Sequence, residues 1–468
     1  MRRHEPLFTR RKFLGGVAGG VAAALLPLRA QVQNRRPNFL VIYTDDQSVE
    51  MVRWMPALRR LVGDTGARFS RAYCEPVCGP SRATVLTGLQ VHNHKVYENN
   101  ESGEKLRSTG GDRDTLATRL KALGYRTGFF GKYMNWSLPS YVPPGWDRFV
   151  MLTKPHNRDS YPVAVNGNLR WVYRSNWNET DYIADKVDDF VRSPAGSPWL
   201  ACLWPHSPHN PSTPAPRNRG WAADHGVRID PDKPSIPEAD LSDKLSWLRK
   251  RNAPGQDDLS RVLRGMVDEL QDVEDAIRRL IGTLAAMGQL ANTFVVFAAD
   301  NGYLFGEHGR EGKNNPYREA ATTPLVARGP GVAAGSVVDA PVHLTDLAPT
   351  LCDLAGAPYE DLDGRSLAPL LRGETPPKWR ERVFVESFYR YPNWVSVHEG
   401  ALSYTRDMNG AEMLFDHATD PYELASSHRE TDPAELARLR DLAGRFAGTK
   451  ETPGPRGADL RAVEEEAS

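Results

Sequence analysis

Cys78 opens the stretch Cys78-Gly79-Pro80-Ser81-Arg82-Ala83-Thr84-Val85-Leu86-Thr87-Gly88. A cysteine beside glycine and proline is, taken alone, a turn residue or a buried thiol. Two further sets of residues make chemistry conceivable. The first is Asp45-Asp46 together with Asp300-Asn301. Either pair alone is a strand end or a helix cap. Together they supply hard oxygen donors, which suit calcium or magnesium rather than zinc. The second set is cationic: Arg82, Lys132, His206 in Pro205-His206-Ser207-Pro208, and Lys313 after Gly306-Glu307-His308-Gly309. Singly, each of these reads equally well as a surface charge or a capped turn. Arg82 lies one helical turn past Cys78 and would face it.

The elements that must position these residues follow from the apolar runs. Phe39-Leu40-Val41-Ile42-Tyr43 ends on Thr44-Asp45-Asp46, and Thr293 to Ala299 ends on Asp300-Asn301. Arg126 to Phe130 ends on Gly131-Lys132, and Trp199 to Trp204 on Pro205-His206. Continuous apolar runs of this length read as buried parallel strands. Polar residues after them sit at the carboxyl edge of an open α/β sheet, where ligands bind. Helical spacing is present in Met55 to Val62, Thr115 to Leu123 and Thr180 to Val191. Leu259 to Met287 reads as one or two surface helices. The proline-dense stretch from Pro205 to Pro237 reads as an irregular excursion that could cross the site. From about residue 370 the pattern changes to short antiparallel strands, around Val383, Trp394, Ala401 and Met413, followed by a helix from about Ala434 to Phe446. The fold class expected is α/β: a large mixed, mostly parallel sheet covered by helices, with a smaller C-terminal α+β domain. The expected division is 31–370 for the catalytic domain, 371–452 for the smaller subdomain and 453–468 for a disordered tail.

The stretch from Cys78 to Gly88, Cys-x-Pro-Ser-Arg continued by Ala-x-x-Leu-Thr-Gly, resembles the signature of the sulfatase family, and the other parts occur in the family's order. The resemblance implies that Cys78 is oxidised to formylglycine by a formylglycine-generating enzyme. It also implies that Asp45, Asp46, Asp300 and Asn301, with the modified residue 78, hold Ca2+ (Mg2+ as runner-up) against the sulfate oxygens. Arg82, Lys132, His206 and Lys313 match positions that contact sulfate. One hydroxyl of the hydrated aldehyde would attack sulfur; the other would later collapse and expel sulfate, dividing one hard step into two. Many family members have histidine two residues after the lysine, where this chain has Met134. Gly131-Lys132-Tyr133-Met134-Asn135 and the segment from Val91 to Asn100 are similar to the glucosamine-6-sulfatase and heparan endosulfatase branch. The base that releases sulfate therefore stays open among His92, His94, His209 and His308. The substrate implied is a sulfated carbohydrate or a small sulfate ester, with 6-sulfated glucosamine favoured.

Composition excludes other classes. Among 468 residues, 59 Lys and Arg balance 59 Asp and Glu, so no basic surface argues for nucleic acid. Low mean hydropathy argues against an integral membrane protein. The four cysteines, Cys74, Cys78, Cys202 and Cys352, are not spaced like a zinc site. If Cys78 is modified, at most one intramolecular disulfide can form. Thr9-Arg10-Arg11-Lys12-Phe13-Leu14 before a short apolar stretch closely resembles a twin-arginine signal. Residues 1–30 are thus expected to be an export signal read by the twin-arginine translocase, giving a secreted, periplasmic or cell-surface protein. Two other functions remain open: a phosphodiesterase or phosphonate monoester hydrolase of the same superfamily, and an exported glycan-binding protein without catalysis.

Overall fold

In the computed structural model, the described residues are 36–153, 160–173, 178–194, 196–389, 392–447 and 457–465. The twin-arginine segment lies outside them. A ten-stranded sheet organises the chain. Its centre is five parallel strands in the order Thr293–Ala299, Asn38–Thr44, Trp199–Trp204, Arg126–Gly131 and Arg148–Leu152. Antiparallel strands flank them: Leu325–Arg328 on one side, and the hairpin Ser160–Val165 with Asn168–Tyr173 on the other.

The Asn38 strand shows why the run is apolar throughout. Phe39, Val41 and Tyr43 feed a core on one face, Leu40 and Ile42 a second core on the other. With both faces covered, a strand gains from apolar residues at every position. The first face carries the Cys78–Thr87 helix and Leu347–Ala355. The second carries Glu179–Arg192 and the long helix Gln256–Ala286. That long segment is one continuous helix, with Leu259, Leu263, Met266, Leu270, Ile277 and Leu280 all buried. Met55 to Val62 departs from regular helix: a short α-turn, Pro56–Leu58, passes into a π-turn, Arg59–Gly63.

A four-stranded antiparallel sheet follows, Arg382–Ser387, Trp394–Glu399, Leu402–Asp407 and Glu412–Asp416, backed by the helix Pro433–Phe446. The tail expected to be disordered is corrected for residues 457–465, which form the helix Gly457–Glu465. Its proline- and glutamate-rich composition hid two apolar residues at helical spacing. Leu460 is buried in the core of the small sheet, where Val463 also packs. Glu464 is buried against Arg365, 2.9 Å away, and Arg380, 3.4 Å away.

Candidate functional site

The polar residues after the central strands meet where the sequence placed them, at one carboxyl edge of the sheet. Cys78 is the first residue of its helix and is buried. Its Sγ lies 3.2 Å from Asp45 Oδ1 and 3.8 Å from Asp46 Oδ1. Lys313 Nζ lies 2.6 Å from the same Sγ and also binds the Asp46 carboxylate. Donor atoms of Asp45, Asp46, Cys78 and Asp300 all lie within 4.8 Å of one another. Asn301 Nδ2 donates to Asp46 Oδ1 at 2.7 Å, while its buried Oδ1 has no hydrogen-bond partner among the described residues. The backbone N–H of Asp46 donates to Asp300 Oδ1 at 3.0 Å, and Asp46 itself is left-handed, with φ of 62°. Such backbone strain is tolerated where surrounding contacts over-determine it.

Three fixed cations face these carboxylates. Arg82 is completely buried; its Nε donates to Asp300 Oδ2 at 3.0 Å, its Nη1 to the Lys132 carbonyl at 2.6 Å, and its Nη2 lies 3.5 Å from Asp45. Its bonds run to Asp300 and Asp45, and residue 78 also lies within electrostatic reach of it. Lys132 binds Asp45 from the open side. Burial would raise Asp45, yet Lys132, Arg82, His209 and His206 hold it well below the carboxylate range. Asp300 moves the other way, to about 6, through burial and the Asp45 charge. Burial, with Asp300 and Asp45, pushes the Cys78 thiol well above its ordinary value. Charges this deeply buried persist only when paired.

His206 and His209 leave the Trp199 strand together. Their rings stack at 4.9 Å, with His206 Nε2 3.7 Å from Asp45 and His209 Nε2 3.5 Å from Asp46. The loop is tied to the strand end by Asp45 N–H donating to the Ser207 carbonyl at 3.1 Å. Of the four histidines left open by Met134, only His209 is brought to this edge. His92 sits on Glu386 at 2.8 Å, His94 on Thr84 at 3.1 Å and His308 on Glu238 at 2.6 Å. Met134 is buried in the core. The proline-dense excursion starts at the site, with His206 and His209 beside Asp45 and Asp46. After His209 it runs along the long helix, where Thr213 N–H donates to Glu269 and Ala215 N–H to Asp272.

Two residues that sequence reasoning missed adjoin the site. Glu179 is buried 3.8 Å from His206 Nδ1, and burial with the Asp45 charge pushes it up to about 8. It stands just after the helix cap Asn178, so local pattern showed only a helix start. Asn99 Oδ1 accepts from Gly79 N–H at 2.8 Å and satisfies a free donor at the start of the Cys78 helix. Asn99 lies in the segment that is similar to the glucosamine-6-sulfatase branch. Within that segment His92 and His94 are buried, whereas Asn100 is exposed.

Comparison with known proteins bears on this geometry. The family model described as "Sulfatase" matches residues 37–357, and "N-sulphoglucosamine sulphohydrolase, C-terminal" matches 306–443. An extracellular sulfatase SULF-1 homolog of Drosophila melanogaster is 34% identical over 376 residues, covering 76% of this chain and 33% of the relative. The N-acetylglucosamine-6-sulfatase of Homo sapiens is 32% identical over 417 residues, covering 80% and 70%. The chain therefore spans about a third of the former. Among solved structures, a protein in complex with its substrate D-glucosamine-2-N,6-O-disulfate shares the fold at a TM-score of 0.74, 23% identity, and 88% and 97% coverage. The phosphonate monoester hydrolase of Agrobacterium radiobacter does so at 0.67, 20% identity, and 90% and 100% coverage.

Proposed function

The chain belongs to the sulfatase family, and from that premise we propose that it hydrolyses sulfate monoesters of a sugar, with residue 78 as the nucleophile once Cys78 has become formylglycine. The observation that carries the reading is the convergence of Cys78 with Asp45, Asp46 and Asp300 at one buried edge, flanked by Lys132 and Lys313. Formylglycine, once hydrated, supplies a hydroxyl for attack on sulfur and a second that allows sulfate to leave. The residues also fit a divalent cation. Asp45, Asp46, Asp300 and the spare Asn301 Oδ1 are hard oxygen donors, which suit calcium or magnesium, and the family resemblance favours calcium. Such an ion would offset charge on the sulfate oxygens.

The remaining roles belong to the chain itself. Arg82 fixes the two carboxylates it bridges and is too enclosed to serve as a mobile substrate clamp. Lys132 and Lys313 flank the nucleophile's side and supply positive charge where the anion must lie. The N-terminus of the Cys78 helix adds its dipole in the same sense. His206 and His209 stand beside the carboxylates and can deliver a proton to the leaving oxygen. Within this reading His209 also serves as the base that releases sulfate, the role that Met134 leaves open.

The human relative's name supports 6-sulfated glucosamine as substrate, and the extracellular relative supports export. Export would use the twin-arginine signal, after modification of Cys78 inside the cell. Changing Arg10 and Arg11 to lysine should trap the precursor; unaltered export would reject that route.

The test of activity is direct. Enzyme made together with a formylglycine-generating enzyme should show formylglycine at position 78 by peptide mass spectrometry. It should release sulfate from glucosamine 6-sulfate in preference to an aryl sulfate, and lose turnover on chelation with verified metal loss. Faster cleavage of an aryl phosphodiester than of either sulfate would overturn the reading in favour of phosphonate or phosphodiester hydrolysis. Full activity with an intact Cys78 thiol would overturn the nucleophile.

A further inference from the structure

A second group of metal-binding side chains lies outside this site, where the catalytic sheet meets the C-terminal one. His308, Glu319 and Glu423 each present a ligand atom, and the three atoms lie within 4.8 Å of one another. They come from separate parts of the chain: the turn Glu307–Gly309, the short helix Arg318–Ala321, and the loop after the strand Glu412–Asp416. His308 is completely buried. Its Nδ1 pairs with Glu238 Oε2 at 2.6 Å. Its Nε2 points at Glu319 Oε2, 4.0 Å away, and neither atom has a hydrogen-bond partner among the described residues.

We propose that His308, Glu319 and Glu423 bind a first-row divalent cation such as zinc, which joins the C-terminal sheet to the loop carrying Lys313. An imidazole with a carboxylate on one nitrogen and the other turned to open donors is the arrangement found at metal-ligating histidines, where the outer carboxylate fixes the tautomer. One nitrogen and two carboxylates suit zinc better than calcium. Zinc–ligand bonds are about 2.0–2.2 Å, which sets two tetrahedral ligands about 3.3 Å apart; the 4.0 Å between His308 Nε2 and Glu319 Oε2 therefore closes by a rotation of the Glu319 carboxylate when the ion binds. Neighbouring groups hold the ligands without removing their capacity. Lys233 Nζ is 3.7 Å from the other oxygen of Glu319. Glu423 Oε1 pairs with His417 Nε2 at 2.9 Å, and its Oε2 accepts from Arg318 N–H at 3.1 Å; each oxygen keeps a second lone pair. The Tyr317 ring stacks on His308 at 3.7 Å and closes one side.

The competing arrangement is a proton in place of the metal, with His308 as an imidazolium between Glu238 and Glu319. To separate the two, the full-length enzyme is stripped with chelator, saturated with calcium to fill the Asp45 site, and titrated with zinc. Bound metal is counted by elemental analysis, and cobalt serves as a visible-absorption probe. The expected result is one zinc per chain that calcium does not displace, with a rise in melting temperature. Glu319→Gln should weaken zinc binding at least tenfold, whereas Asp45→Asn should leave it in place. Glu423→Gln is the parallel variant should Glu319→Gln fail to fold. The proposal is overturned if the calcium-saturated enzyme takes up no zinc. It is equally overturned if zinc binds unchanged in both glutamine variants, or is lost with Asp45→Asn instead.

Discussion

Asp45 carries more of the site's charge balance than its neighbours, because Arg82, Lys132, His206 and His209 all act on one carboxylate. Replacing it by asparagine keeps the shape and one oxygen but takes from Lys132 its paired carboxylate and from Arg82 one of two. Loss of one partner from such a buried set costs about 3–5 kcal/mol. Asp45→Asn should therefore melt lower and bind calcium at least ~10-fold more weakly; calorimetric titration beside a thermal melt measures both, and unchanged affinity would remove Asp45 from the donor set. Glu75 offers a separate test through pH. Burial pushes it from 4.5 up to about 8, against the hydrogen bond from Thr84 at 2.9 Å. Above its unfolded value the unfolded chain releases a proton that the folded chain keeps. Folding stability should therefore fall as pH rises from about 4.5 through 8. Each pH unit in that window is worth up to about 1.4 kcal/mol. Glu75→Gln removes this dependence, so the variant's melting temperature should gain on the parent's between pH 5 and pH 8. Parallel melting curves across that range would contradict a protonated Glu75.

At the scale of elements, one glycine sets the geometry of the edge and another ends the Cys78 helix. Gly131 ends its strand with φ of 133°, and an added Cβ would fall on the Trp204 carbonyl. That same carbonyl accepts from Lys132 N–H at 2.8 Å. The close approach of backbones is what aims Lys132 at Asp45. Gly131→Ala should cost about 2–4 kcal/mol through strain and overpacking and reduce turnover by moving Lys132. Urea unfolding checks the first, and stability equal to the parent would refute the close-approach argument. Gly88 closes the Cys78 helix in the left-handed region, with φ of 68°, where a Cβ would meet Leu362 at 2.9 Å. The last glycine of the motif is thus a helix stop packed under Leu362, remote in role from the chemistry at Cys78.

At the scale of the whole molecule, the last helix ties the small sheet's surroundings to the main body. Glu464 sits between Arg365 and Arg380, and Arg380 also reaches Asp346 at 2.7 Å. Arg382 Nη1 donates to the Val463 carbonyl at 3.1 Å. Ending the chain after residue 456 would leave Arg365 without its carboxylates and open the Leu460 pocket. The shortened protein should lose about 3–5 kcal/mol, seen as a lower melting temperature; an unchanged melt would mean the helix contributes nothing to the fold.

The sequence alone determined the strands and what they deliver. Buried parallel strands are apolar at every position, and the polar residue that follows each is conspicuous in one dimension; Asp45, Asp300, Lys132 and His206 were all legible this way. The Cys78 motif identified the family for the same reason, as its residues are contiguous. Tertiary structure alone decided that His209 joins His206 beside the carboxylates, that Arg82 is bonded to Asp300 and lies against Asp45, and that Glu179 and Asn99 adjoin the site. These depend on packing between segments far apart in the chain, and nothing in local spacing records them. The final helix belongs to the same class. Its composition argued for disorder, and only a groove formed by distant residues gave Leu460 somewhere to be buried.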